Sequence, residues 1–291
     1  AVLAAATALA LSLPLAAQGG PSPSSSGAVG QTKTPALAPS EIVAAAPKAD
    51  WVAIPAEDLL VMTLAPDAEG KPRTVVIQLM PAPFSQGWVH NIRLFARAKW
   101  YDGISVNRVQ DNYVTQWGDP NYDNPEATGK PKPLPEGLKV MGEAEYVVPR
   151  SLLPEADLSQ DKQPPSVRVQ LLAGFDSYAQ RKGFSGGWPI GGEGFDDEGK
   201  NWPTHCYGMV GVGRNYSPDT GSGAELYTVI GHAPRHLDRN IALVGRVIEG
   251  MQHLSSLPRG SGALGFYTAE ESTKRTPILT VRVASDHTAG G

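Results

Sequence analysis

The chain has 291 residues, 41% of them hydrophobic, which is enough for one all-β domain with a sizeable core plus tails and insertions. Its 25 Lys and Arg against 29 Asp and Glu give a formal net charge of -4 without a basic stripe, which argues against a nucleic-acid partner. The 32 Gly and 26 Pro favour many turns and few long helices, and a single cysteine, Cys206, excludes an internal disulfide.

Residues 1–17, AVLAAATALALSLPLAA, carry no charge and end in small residues. They read as the apolar core and cleavage region of a secretory signal peptide without its basic start. They are short for a transmembrane helix. Residues 18–48 are rich in Gly, Pro, Ser, Thr and Ala without hydrophobic periodicity, the composition of a flexible linker.

The folded part, 49–285, opens with Leu59–Leu64 and Thr74–Leu79, two strand-like runs joined by the turn residues Asp67–Gly70. A helix is expected over Ser85–Lys99, where Trp88, Ile92 and Phe95 form one apolar stripe. Ile104–Val109 and Tyr113–Trp117 are the next strands. Between about 121 and 203 the chain is polar and crowded with Pro and Gly, and reads as a long irregular insertion. Only Glu145–Val148 and Val167–Leu172 stand out there as ordered pieces. Strands resume at Tyr207–Val212, Glu225–Ile230 and Ile241–Val247, with a helical turn between Val247 and Leu254. A closing strand, Ile278–Val283, precedes a polar tail at 286–291. Short strands with one convincing helix predict an antiparallel barrel rather than an alternating βαβ fold.

Several motifs lack the context their chemistry needs. Gly183-Phe184-Ser185-Gly186-Gly187 matches G-x-S-x-G, but a nucleophile elbow requires a strand before it and a helix after it. Gly208, Gly211 and Gly213 are not followed by a helix, so they do not make a dinucleotide site. His232 and His236 are four apart, but Pro234 between them breaks the helix that would aim both at one metal. Asp196-Asp197-Glu198 lacks the spacing of a calcium loop. Cys206 reads as a small buried hydrophobe.

Three segments carry a resemblance. The first is Phe95-Ala96-Arg97-Ala98-Lys99-Trp100-Tyr101-Asp102-Gly103. The second is Val106-Asn107-Arg108-Val109 with Tyr113-Val114-Thr115-Gln116-Trp117-Gly118-Asp119-Pro120. The third runs from Gly208-Met209-Val210-Gly211 through Gly223-Ala224-Glu225-Leu226-Tyr227 and His236-Leu237-Asp238-Arg239-Asn240 to Val244–Met251. In this order they resemble the cyclophilin family of peptidyl-prolyl cis/trans isomerases, in a form that is exported and carries a large insertion. The resemblance implies a mainly β fold, a closed antiparallel barrel with one or two capping helices. It implies Arg108 as the catalytic arginine and a substrate pocket of Tyr113, Val114, Gln116, Glu225, Tyr227, His236 and Leu237. Tyr113 and Tyr227 stand where the family usually has phenylalanine. Glu225 replaces a glutamine, His236 a tryptophan and Ile241 a histidine.

The chemistry so implied is the twisting of an amide. Conjugation across the peptide bond sets a barrier of about 18–20 kcal/mol. A guanidinium donating to the prolyl nitrogen favours the twisted amide, and an apolar pocket orients the ring. Such a reaction calls for no metal or cofactor. The expected partners are proline-containing polypeptides, the expected state a monomer, and the expected place the periplasm or another exported site. Assistance to the folding of exported proteins is the leading reading. The alternatives are a non-catalytic module that grips proline segments, and an envelope scaffold.

Overall fold

The computed structural model describes residues 36–122, 127–153, 169–171 and 176–288. The expected leader, 1–17, and most of the expected linker lie outside the described residues. Two compact units divide the chain, Ala1–Ala46 and Pro47–Gly291. In the first, helix α1, Pro39–Ala45, lies within the span expected as linker. The Glu41 carboxylate accepts the Ala38 N–H at 2.6 Å to open the helix, which buries no residue.

The second unit holds the remaining elements in the order β1 Leu59–Leu64, β2 Arg73–Leu79, α2 Gln86–Arg97, β3 Ser105–Val109, β4 Val114–Gly118, β5 Val148–Pro149, β6 Val169–Leu171, β7 Arg181–Ser185, β8 Trp188–Glu193, β9 Lys200–Pro203, β10 Met209–Val212, β11 Leu226–Val229, β12 Leu243–Glu249, α3 Gln252–Ser255, β13 Ile278–Val283 and α4 Ala284–Thr288. Eight strands form one antiparallel sheet in the order β13-β1-β2-β12-β10-β11-β4-β3. Its two outer strands meet. Val106 N–H donates to Thr276 O at 2.9 Å, Ile278 N–H to Ile104 O at 2.8 Å, and Gly103 N–H to Ile278 O at 2.9 Å. A bridge between Ser105 and Pro277 completes the seam. The sheet is thus a nearly closed barrel, as the short strands predict.

Alternation along each strand sends one set of side chains inward. Leu60, Met62 and Leu64 of β1, and Val75, Ile77 and Leu79 of β2, are fully buried in one core with Val281 and Val283 of β13. The apolar stripe of α2 joins them: Trp88, Ile92 and Phe95 are each 0% exposed. Trp88 also donates its indole N–H to Thr220 O at 3.1 Å and Gly221 O at 3.0 Å, tying the helix to the loop before β11.

The stretch expected to be irregular contains a second antiparallel sheet, ordered β5-β9-β8-β7-β6. Among the described residues, Val148, Trp188 and Ile190 of its strands join the main core, as does Tyr146 just before β5. The strands escape a reading by alternation because they are glycine-rich, and the glycines are there for room. A Cβ on Gly191 would stand 2.7 Å from the Trp202 indole nitrogen, and one on Gly192 would stand 2.8 Å from the Arg181 guanidinium. Between β7 and β8, Gly186 and Gly187 both have positive φ, 56° and 77°, which is the two-residue turn of a tight hairpin. The G-x-S-x-G sequence therefore lies on a hairpin, with no helix after it. The polar tail is also partly helical: α4 is held by Ser285 Oγ on Glu57 Oε2 at 2.7 Å and by Arg97 on Asp286 at 3.2 Å. Cys206 is half-buried against the main core. Among the described residues no helix is long and apolar enough to cross a membrane.

Because Trp88 fills the core and satisfies two loop carbonyls, Trp88→Ala is expected to destabilise the protein by about 3–5 kcal/mol. Urea unfolding followed by circular dichroism checks this. A loss below about 1 kcal/mol would mean that the helix is not needed to complete the core.

Candidate active site

Arg108 reaches the outer face of the barrel through an irregularity in β3. Val106 pairs with Trp117 and Arg108 with Gln116, so two residues of β3 span one step of β4. Strict alternation from the inward Val106 would turn Arg108 inward as well. The extra residue, Asn107, resets the phase, so that Arg108 lies outside while Val109 returns to the core. The Asn107 side chain is buried and satisfied locally. Its amide donates to Gly118 O at 3.1 Å, and its carbonyl accepts the Ser105 hydroxyl at 2.7 Å.

The guanidinium is then fixed on three sides. Nε donates to Leu264 O at 2.6 Å, one terminal nitrogen donates to Gln116 Oε1 at 3.0 Å, and the other donates to Gln110 Oε1. The Tyr113 and Phe266 rings each stand near the guanidinium carbon, with centroids at 5.6 and 5.5 Å. Burial pulls Arg108 below the ordinary arginine value, opposed by Tyr113, Glu225 and Tyr227, but an arginine so shifted is still a cation at neutral pH. The three contacts use three of the five guanidinium N–H groups and leave one on each terminal nitrogen.

Beside the cation lies an apolar patch separate from the barrel core. Val114, Tyr227, Val229 and Leu237 form it, with Tyr113 and Ile241 packed against them. Register explains the grouping. Tyr227 pairs with Gln116 and Val229 with Val114, so these four side chains share the outer face, while Trp117 and Leu226 point into the core. Arg108, Gln116, Tyr227 and Gly211 thus form one row across β3, β4, β11 and β10. The Tyr227 ring leans over β10, where a Cβ on Gly211 would stand 2.3 Å from its Cζ and its Oη. The hydroxyl bonds His205 Nε2 at 2.8 Å, so the ring presents a face free of unsatisfied polar atoms. Burial raises the Tyr227 phenol well above its ordinary value and also raises that of Tyr113.

The whole forms an open cleft of about 920 Å³. Of the residues expected at the site, Arg108, Tyr113, Val114, Gln116, Glu225, Tyr227 and Leu237 all line it. His236 does not: it is exposed, and its ring stacks on that of Tyr113 with centroids 6.1 Å apart. Glu225 is buried, and its Oε2 accepts the Gln116 amide N–H at 2.5 Å. A carboxylate can only accept, so Gln116 directs its NH2 at Glu225 and its carbonyl at Arg108. The sequence reading passed over Gln110, Leu264 and Phe266, which grip Arg108, and His205, which meets Tyr227. Leu264 and Phe266 come from a loop 156 and 158 positions after Arg108, which no local pattern connects to it.

Comparisons with known proteins bear on the family and the fold. Residues 162–283 match the family of cyclophilin type peptidyl-prolyl cis-trans isomerases/CLD. In fold the protein is similar to the cyclophilin AquaCyp293 from Hirschia baltica, with a TM-score of 0.58 and 21% identity over 86% of this chain and 82% of that one. A cyclophilin type peptidyl-prolyl cis-trans isomerase from Cryptosporidium parvum is 12% identical over 77% of this chain and 96% of its own, with a TM-score of 0.41. No curated protein matches. The chain carries a cyclophilin-type peptidyl-prolyl cis-trans isomerase domain. The matched stretch includes Glu225, Tyr227 and Leu237 but begins after β4, so Arg108 and Gln116 stand at the site by geometry alone.

The space above Gly211 sets a test of the pocket. Gly211→Ala is expected to push the Tyr227 ring off its seat, to cost about 1–3 kcal/mol of stability, and to weaken binding of a proline peptide measured by calorimetry. Unchanged peptide affinity in a folded Gly211→Ala protein would place the binding surface elsewhere.

Proposed function

We propose that the outer-wall cleft isomerises X-Pro bonds in exported polypeptides and so assists their folding. The observation that supports this most is the state of Arg108. It is a partly desolvated cation, held by three carbonyl oxygens and two aromatic rings, with free N–H groups beside an apolar patch. The proline ring occupies the patch of Val114, Tyr227 and Leu237, which orients the bond and keeps water from it. Arg108 donates to the prolyl nitrogen as the amide twists and its lone pair localises. Gln116, oriented by Glu225, keeps the guanidinium from swinging away. The charge on Arg108 meets a lone pair that exists only in the twisted state, so its contribution belongs to the transition state.

Arg108→Ala is therefore expected to lower kcat/KM by about a hundredfold or more in a protease-coupled or direct spectroscopic assay, while affinity for a proline peptide falls far less. Arg108→Lys restores little, because an ammonium cannot reproduce the fork. Tyr227→Ala damages binding and turnover together. A second reading, a proline-binding module without turnover, is favoured by the replacement of a glutamine with Glu225, which engages Gln116. Equal isomerisation rates for wild type and Arg108→Ala, with peptide binding retained in both, would decide for that module.

The exported setting is proposed from the uncharged apolar segment at 1–17 followed by a Gly, Pro and Ser-rich stretch. Mass spectrometry of the native protein is expected to find an N-terminus near Gln18 in an extracytoplasmic fraction. An intact apolar segment on a cytosolic protein contradicts it.

A further inference from the structure

A chain of polar groups runs from the second sheet to the back of the pocket, and the isomerase chemistry does not use it. Asp176 accepts from the Arg235 guanidinium at 3.0 Å, and Arg235 Nε donates to Asp238 Oδ2 at 2.5 Å. The other Asp238 oxygen accepts the His205 backbone N–H and bonds its Nδ1, each at 2.9 Å. His205 Nε2 then meets the Tyr227 hydroxyl at 2.8 Å. His205 is 1% exposed and Tyr227 is 4% exposed, so neither can exchange its partner for water. The Asp238 carboxylate has no proton to give, which fixes the proton of a neutral His205 on Nδ1. Nε2 is left as an acceptor, and Tyr227 must donate to it. Burial lowers the tendency of His205 to take a second proton, in spite of Asp238.

We propose that His205 is a positioning residue of the proline pocket: held by Asp238, it accepts the Tyr227 hydroxyl and thereby fixes the ring that forms the pocket wall over Gly211. The inference rests on reading this cleft as the isomerase site. It gives the phenol at position 227 a task that a phenylalanine could not perform. It also gives the second sheet a role. Arg235 and Arg239 flank Leu237 and Asp238, and both are held by that sheet or the segment leading into it. Arg239 pairs with Glu193 of β8 at 2.7 Å and lies over the Trp202 ring of β9 at 4.5 Å, while Arg235 binds Asp176. The sheet thus braces the loop that carries both the pocket leucine and the aspartate behind His205.

A double-mutant cycle on the full chain separates positioning from plain stability. His205→Leu is expected to raise KM for an X-Pro peptide about threefold to tenfold, the scale of one hydrogen bond, with kcat changed much less. His205→Gln, whose carbonyl can accept the hydroxyl, is expected to recover most of the loss. In a Tyr227→Phe background, His205→Leu is expected to add nothing, because the group it acts through is gone. Equal losses in both backgrounds, or no change in KM, overturn the proposal. If His205→Leu fails to fold, nitrogen-15 NMR of the wild-type protein decides instead: protonation on Nδ1 supports the arrangement, and protonation on Nε2 overturns it. The tautomer and the cycle run on peptide affinity need no turnover. A failure of the isomerase reading would show as an inactive wild type, whereas a failure here would show as an uncoupled cycle.

Discussion

The hydrogen bonds that join β3 to the run entering β13 make everything else about the site possible. An open sheet of eight strands would twist and leave β3 as an exposed, deformable edge. Closure through Gly103, Val106 and Ile278 turns that edge into a wall, and it is on this wall, two residues beyond Val106, that Arg108 stands. The bulge at Asn107 needs such a setting. A locally disrupted ladder keeps its geometry only where both flanking strands are held, here by β4 on one side and the seam on the other.

The electrostatics of the cleft follow the same economy. Among the described residues Arg108 has no acidic hydrogen-bond partner; it is held by neutral carbonyl oxygens from Gln110, Gln116 and Leu264. A direct carboxylate pair would spend the charge on the ground state. Neutral acceptors orient the guanidinium and leave its field available, as the role proposed for Arg108 requires. The acidic group of the site, Glu225, stands one residue further away and acts on Arg108 through the Gln116 amide. The glutamate at position 225 thereby orients Gln116.

Much of the barrel was legible because its strands obey period two and its main helix obeys period 3.6. Leu59–Leu64 and Ile278–Val283 stand where alternation places them, and Trp88, Ile92 and Phe95 form the stripe that spacing predicts. What escaped has a physical cause in each case. Strands β7 to β9 trade side chains for close backbone approach, so Gly183, Gly191 and Gly192 hide the alternation that a reader counts on. The bulge at Asn107 leaves no local trace, since its effect is a change of phase seen only against β4. At the site, the residues named from the family motif came together except His236. Those that hold Arg108 and Tyr227 from behind belong to no motif: Leu264, Phe266 and His205 work through contacts distant in sequence, and Gln110, two positions from Arg108, lies just past the end of β3.

Large side chains fill the core of this barrel, with Trp88 and Trp117 among those fully buried, and the cleft lies on the outside of the wall. A site of that kind has no doorway. A polypeptide need not be threaded, shortened or fully unfolded to be served, because a single exposed loop can be pressed against the wall while the rest of its chain remains in solvent. Turnover then depends on how often a proline-bearing loop is displayed, and the mass of the molecule displaying it drops out of the problem.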